Sequence, residues 1–180
     1  VEAILRSGPL NKNFTDSFNA LMVSEGGFVN DPRDPGGATN HGVTKAVWEE
    51  WIGESVTVDD MKALTVDDVK PLYKKKYWDA VCGDELPSGI DYCVFDYAVN
   101  SGVVRSARAL QTVLHVDADG QIGPITLAKA SQQNPVHVIE DISNARIKFL
   151  QGLSTWDAFG KGWTKRIEQV EDMAKNMASV

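Results

Sequence analysis

The chain's 180 residues predict a mainly α-helical fold with one small β-hairpin after the first helix. Three observations carry this. Apolar residues recur at helical spacing along most of the chain. Threonine–acid pairs three positions apart mark helix starts. One turn-dense run, S-E-G-G-F-V-N-D-P-R-D-P-G-G-A-T-N-H-G-V-T from Ser24 to Thr44, interrupts the helical pattern early.

The elements follow in order. Phe14, Phe18, Leu21 and Met22 form the stripe of a core-facing helix, with Asn13 or Thr15 as its cap. That helix must stop near Gly26-Gly27, which leaves Glu25 in its last turn or just beyond. N-D-P, R-D-P-G-G and A-T-N-H-G then predict an irregular loop and a hairpin, with strands near Phe28-Val29 and Ala38–Val43. Thr44 caps a helix through Ala46, Val47, Trp48 and Trp51, which ends at Gly53. Capping boxes at Thr57–Asp60 and Thr65–Asp68 open a short helix and a longer one, the latter carrying Leu72, Tyr73, Tyr77 and Trp78. Pro87 opens a helix with Ile90, Cys93, Val94, Tyr97 and Ala98 inward, ending at Asn100-Ser101-Gly102. Further helices are expected from Val103 to His115, from Pro124 to Asn134, from Val136 to Leu153 and from Gly162 to Met177. No long linker, useful repeat or low-complexity segment interrupts them, and a soft boundary falls near Asn100–Gly102.

Charge narrows the choice of partner. A net charge of −7 and a pI near 4.9 oppose binding to nucleic acid, which needs a basic face. An acidic protein working on an anionic cell surface must recognise it by shape and hydrogen bonds. No apolar run is long enough to span a bilayer, so stable membrane insertion is not expected. The first ten residues lack the basic and apolar regions of an export signal; the initiator Met is also absent, so this says little about export. Cys82 and Cys93 are expected to be two packed thiols. His41, His115 and His137 are scattered, no metal-binding motif occurs, and no metal or organic cofactor is implied. D-A-D-G-Q-I-G fails as a calcium loop, because its first and twelfth positions would be His115 and Thr126.

Glu25 is the first candidate for chemistry. A glutamate at a helix end is most often a solvated surface residue, but two neighbours weigh against that here. Gly26 and Gly27 remove side chains beside the acid and let a substrate approach. The hairpin behind them can return a second group toward it. A carboxylate at that helix end gains nothing from the helix dipole, which suits a general acid. Asp31 and Asp34 both precede proline, so turn formation accounts for one of them, and the other can face Glu25. In an inverting glycosidase the two carboxyls stand about 6.5–9.5 Å apart, leaving space for a water. Thr39 or Thr44 could hold that water; Thr44 has a capping role, which favours Thr39. His41 reads as a turn residue, and no nucleophile elbow surrounds Ser24, so a serine triad is not supported. F-D-Y-A-V-N-S-G, Phe95 to Gly102, leaves Asp96 and Asn100 as polar groups at a helix end. Asn100 can hydrogen-bond a sugar amide or hydroxyl, while Tyr77, Trp78 and Tyr97 offer flat faces for sugar rings and equally suit core packing.

E-G-G-F followed by N-D-P-x-D-P-G-G-x-T-x-x-G-V-T resembles the signature of the glycoside hydrolase 108 family of N-acetylmuramidases. That family includes phage and prophage endolysins and bacterial secretion activator proteins. Y-W-D-A-V (Tyr77 to Val81) and F-D-Y-A-V-N-S-G are similar to its later blocks. Leu110 to Leu127 resembles its C-terminal peptidoglycan-binding region. The resemblance implies a lysozyme-like fold, with residues 1–100 as catalytic region and 101–180 as a helical peptidoglycan-binding-like region packed on it in one compact unit. It implies cleavage of the β-1,4 bond between N-acetylmuramic acid and N-acetylglucosamine, with Glu25 as the catalytic acid. The Glu, Asp, Thr order is also similar to the triad of phage lysozymes, where the Asp follows the Glu by the same nine positions as Asp34 follows Glu25; the threonine offset differs. The expected protein is therefore a peptidoglycan hydrolase, made in the cytoplasm and acting on the periplasmic cell wall after release by a holin or a secretion system. Asp34 with Thr39 would serve the second face of the sugar, with Asp31 as the rival acid. A lytic transglycosylase and a non-catalytic wall-binding or secretion-accessory module are the alternatives.

Overall fold

The structure is a computed structural model that describes residues 2–179, with side chains from Asn13 onward. Its described elements are nine α-helices and one two-stranded antiparallel hairpin, placed after the first helix. This is the expected mainly α, lysozyme-like fold. The helices are α1 (Glu2–Ser24), α2 (Lys45–Ile52), α3 (Val58–Ala63), α4 (Val66–Tyr73), α5 (Ile90–Ser101), α6 (Val103–Val113), α7 (Pro124–Gln132), α8 (Pro135–Gln151) and α9 (Trp156–Ala178). The hairpin pairs β1 (Thr39–Asn40) with β2 (Val43–Thr44). Among the described residues, no helix is long and apolar enough to cross a membrane.

The chain divides into two compact units. One is Phe18–Lys76, and the other is Tyr77–Val180 together with Val1–Ser17. The expected boundary between residues 100 and 101 falls inside the larger unit, where α5 packs against α6.

In the Phe18–Lys76 unit, local capping chemistry sets the helices. Thr44 Oγ1 accepts from the Val47 N–H at 3.2 Å, and Gly53 ends α2 at φ 78°. Both capping boxes form: Thr57 and Asp60 exchange bonds of 3.0 and 2.8 Å, and Thr65 and Asp68 bonds of 3.2 and 2.8 Å. Each satisfies two N–H groups that a helix start leaves without partners. The expected longer helix does not run on to Trp78. It changes at Lys74 into a π-helical turn, Lys74–Trp78, just after Pro71, which has no N–H to give the ladder. Phe18, Leu21, Ala38, Val43, Met61, Val69, Leu72 and Tyr73 are buried.

The larger unit is built on α5, whose residues from Ile90 to Ala98 are all buried. Phe14 and Trp78 each pack edge to face with Phe95 and tilted against one another, with centroids 5.4–6.1 Å apart. Three helix starts differ from expectation. α1 begins at Glu2, so neither Asn13 nor Thr15 caps it, and the Asn13 amide instead donates to the Asp91 carboxylate at 3.1 Å. Pro87 does not open α5, which starts at Ile90. α9 starts at Trp156, before the expected Gly162. The turn D-A-D-G-Q-I-G is held by the buried Gln111, whose amide donates to Asp119 at 2.8 Å and to the Gln121 carbonyl at 2.9 Å, while its oxygen accepts from the Gly120 N–H at 2.9 Å. Cys82 and Cys93 are free thiols; burial pushes Cys93 up to about 12, and the Cys82 thiol donates to the Ile122 carbonyl at 3.3 Å.

Asp91 is the buried acid of this unit. Burial raises its carboxyl to about 6 from an ordinary 3.8, against the bonds it accepts from the Tyr92 and Gly89 N–H groups and from Asn13. The folded chain therefore holds this proton more tightly than the unfolded chain. The associated stability is fully present below about pH 3.8 and is lost as pH rises through about 6. Asp91→Asn should remove that dependence, on the order of 2 kcal/mol between pH 4 and 6. Urea unfolding of both proteins across that range checks it, and parallel curves would contradict it.

Candidate active site

Glu25 sits one residue past α1, where its N–H still donates to the Leu21 carbonyl at 3.1 Å. It is half-buried. A side chain added at Gly26 or Gly27 would meet nothing within 4 Å, so the backbone beside the acid opens onto free space. The chain then extends to Val29, whose N–H and carbonyl pair with Thr39 at 2.8 and 2.7 Å. That pairing is a single bridge, not the strand expected at Phe28-Val29. The expected Ala38–Val43 strand is likewise two short strands joined by a turn, because His41 and Gly42 both take positive φ, 49° and 77°. This is the pattern of the type I′ hairpin turn.

Gly42 is the point of closest approach. A Cβ on Gly42 would lie 2.4 Å from the Tyr73 hydroxyl oxygen and 2.7 Å from a Glu25 carboxylate oxygen. Tyr73 is 2% exposed, and its hydroxyl donates to the His41 carbonyl at 2.8 Å. Its ring packs on Phe18 with centroids 5.6 Å apart. The hairpin is also tied to the end of α3. Asn40, 4% exposed, donates its amide to the Met61 carbonyl at 2.9 Å, and the His41 ring lies 3.0 Å from the Leu64 carbonyl. Since a carbonyl only accepts, His41 carries its proton on Nε2. These bonds satisfy carbonyls that a helix end otherwise leaves open.

Strand alternation separates the roles of the hairpin side chains. Asn40 and Val43, cross-strand partners, are buried. Thr39 and Thr44, the next pair, share the other face. Thr44 is spent on capping α2, whereas the Thr39 hydroxyl makes no hydrogen bond among the described residues.

Asp31 and Asp34 differ in what remains of each. Asp31 is engaged by Arg33 through both carboxylate oxygens, at 2.7–3.2 Å, and accepts the Arg33 N–H at 2.9 Å. The Arg33 side chain holds its carboxyl below the usual range. Asp34 uses Oδ1 to accept the Gly36 N–H at 2.8 Å, and its backbone carbonyl accepts from Gly37 at 3.1 Å. Its Oδ2 has no hydrogen-bond partner among the described residues, and the side chain is exposed. Gly36 lies between Asp34 and Thr44: a Cβ there would be 3.2 Å from Asp34 Oδ1 and 3.1 Å from the Thr44 methyl.

The other candidates lie in the larger unit, and three of them are not available to a ligand. Trp78 is 0% exposed, and its indole N–H donates to Asp84 at 2.8 Å. Tyr97 is buried, with the Arg146 guanidinium 5.2 Å from its ring centroid. Asp96 is 1% exposed and accepts from Arg146 at 2.6 Å and Arg166 at 3.1 Å. These are core residues, not sugar contacts: helix periodicity placed Trp78 and Tyr97 inward, and two distant arginines drew Asp96 in after them. Tyr77 is half-buried, and Asn100 is exposed at the end of α5. Tyr73 is the site residue that periodicity read only as core. The signal was its hydroxyl, which a buried tyrosine must pair.

Residues 18–102 match the family model described as glycosyl hydrolase 108. Twelve chains of solved structures match. Among them, the structure of Brucella abortus SagA is 39% identical, covers 93% of this chain and 97% of its own, and superposes with a TM-score of 0.83. No curated protein matches.

Two outcomes follow. Gly42→Ala puts a methyl against Tyr73 and Glu25 at a φ that alanine resists, so it should cost about 1–3 kcal/mol and displace the carboxylate. Thermal unfolding and wall-lysis rates check both effects; an unchanged rate would mean that Glu25 does not depend on this turn. Asp96→Ala leaves two arginines facing a buried gap and should cost about 3–5 kcal/mol. If its loss of activity is confined to KM with stability intact, Asp96 binds substrate after all.

Proposed function

The chain belongs to the glycosyl hydrolase 108 family, and on that premise we propose that it is a muramidase with Glu25 as general acid. Membership makes it a glycoside hydrolase whose substrate is peptidoglycan. The observation that carries the finer reading is the setting of Glu25, a half-buried carboxylate held at a turn whose nearest residue has no side chain. The Gly26-Gly27 backbone beside this acid carries no side chain and has nothing within 4 Å of where one would stand, which leaves room for a sugar there.

On this reading Glu25 donates its proton to the oxygen between N-acetylmuramic acid and N-acetylglucosamine as that bond breaks. Asp34 faces the positive charge that develops on the sugar or takes a proton from the attacking water. Asp34 is preferred to Asp31 because Arg33 occupies both oxygens of Asp31, whereas Asp34 keeps one. Thr39 holds the water through a hydroxyl that no described residue engages. Water adds across the broken bond, leaving a new reducing end, and the separation of the two carboxyls decides between retention and inversion. The enzyme acts on the wall side of the inner membrane, reached through a holin or a secretion system.

The test is clearance of purified cell walls, with products read by mass spectrometry. Glu25→Gln should lower the rate at least a hundredfold with the fold intact, and Asp34→Asn should lower it partially. Products bearing added water support hydrolysis, whereas 1,6-anhydro ends would reassign the enzyme as a lytic transglycosylase. A folded wild type that releases no glycan from walls would sink the muramidase reading and favour a wall-binding module.

A further inference from the structure

One cavity lies wholly within the larger unit. It has a volume of about 320 Å³ and is open to solvent, with Asn100, Ser101, Arg105, Phe149, Leu153 and Trp163 on its walls. Asn100 and Ser101 are adjacent at the end of α5, joined by a hydrogen bond from the Ser101 hydroxyl to Asn100 Oδ1 at 3.4 Å. That bond orients the amide and leaves its N–H groups for another acceptor. Phe149 and Trp163 supply the aromatic surface.

Arg105 is the unusual member. Its guanidinium carbon sits 3.9 Å from the centroid of the Phe149 ring, so the charge is held on an aromatic face. The side chain is exposed, and among the described residues no carboxylate pairs with it. The chain carries 25 acids against 18 lysines and arginines, so an arginine with no acid partner is not the expected state. Stacking spends the face of the guanidinium and leaves its N–H edge open. That edge is the part that grips a carboxylate with two parallel hydrogen bonds.

Trp163 does not stand alone. Trp156, Phe159 and Trp163 recur along one side of α9, with Trp163 centroids 6.3 Å from Trp156 and 5.7 Å from Phe159. Trp156 lies across Gly160, where any Cβ would meet its indole at 2.7 Å. Phe159 remains 55% exposed. Flat apolar faces beside an amide and a cation suit an amphipathic ring that carries an acid.

We infer that this cavity is a binding subsite for a carboxylate-bearing muramoyl residue of the glycan, with Arg105 on the carboxylate, Asn100 on an acetamido or hydroxyl group, and Trp163 against the sugar ring. The inference rests on the reading of the chain as a peptidoglycan muramidase and names what its larger unit recognises. The carboxylate has two sources, the lactyl group of a bare muramoyl sugar and the stem peptide attached to it. The chemistry Arg105 needs is the same for both.

Calorimetry on Glu25→Gln, which removes turnover, tests the subsite with three ligands. These are a muramoyl disaccharide with a free lactyl carboxylate, the same disaccharide bearing a stem peptide, and a chito-oligosaccharide of equal length without an acid. In this background Arg105→Ala should weaken binding at least tenfold for one or both acidic ligands and leave the chito-oligosaccharide within twofold. The acidic ligand that responds identifies the source of the carboxylate. Arg105→Lys, which keeps the charge and loses the fork, should fall between. Trp163→Ala, with folding checked by circular dichroism, should weaken all ligands bound. Unchanged affinity of the Arg105→Ala protein for both acidic ligands, or an equal loss for all three ligands, overturns the inference, as does a failure of all three ligands to bind. The muramidase reading is judged separately, by glycan release from walls with the wild-type protein.

Discussion

The crowding at Gly42 is the constraint on which the Phe18–Lys76 unit depends. A carboxylate from the end of α1 and a hydroxyl from the end of α4 both come within 2.7 Å of the position its Cβ would take. Only a residue without a side chain fits there, and only such a residue takes a φ of 77° at no steric cost. The type I′ turn therefore meets two demands at once. It closes the hairpin with the twist the strands require, and it clears the volume that Glu25 occupies. The bonds around it serve the same end. Tyr73 holds the His41 carbonyl, while Asn40 and the His41 ring hold carbonyls at the end of α3. Tyr73 and Asn40 are buried, and a buried polar group left unpaired costs about 1–3 kcal/mol, so the turn has little freedom to drift.

Several helix boundaries of this unit were legible in the sequence, for reasons that are local, whereas the crowding at Gly42 was not. A threonine three residues before an acid states a helix start without reference to the rest of the chain, and both such boxes formed. Paired glycines after Glu25 stated a helix end, and α1 stops there. What was not legible depended on distant partners. The start of α1 at Glu2 carries no local signal of that kind, and Asn13, an apparent cap, is spent on an acid 78 residues away. The change of α4 into a π-helical turn follows Pro71, but periodicity runs through it unbroken and hides the break. Tyr73 was visible as an inward residue, while its hydroxyl's acceptor lay 32 positions back in the chain.

The two aspartates of the turn show the same division. Both precede proline and both accept the N–H of the residue two positions on, so local chemistry makes them equivalent. The difference is Arg33, one of the two residues between them. Arg33 folds back on Asp31 and occupies both of its oxygens, and among the described residues no cation pairs with Asp34. Such an exposed pair contributes little to stability. Its effect is on chemistry, because a carboxylate already held by a guanidinium is a poor base and a poor partner for developing positive charge.

F-D-Y-A-V-N-S-G carries both kinds of information within eight residues. Seen as a motif, its polar positions look interchangeable as sugar contacts. In the folded chain Asp96 and Asn100 sit one helical turn apart on α5 and have opposite fates. Asp96 is sealed between two arginines at 1% exposure, a burial that only paired charges can sustain. Asn100 follows it into solvent, at the point where Gly102 ends the helix with its N–H on the Ala98 carbonyl. The motif therefore works in sequence along the helix. Its first half ties α5 to α8 and α9 through one ion cluster, and that anchoring fixes the helix end from which Asn100 lines a cavity.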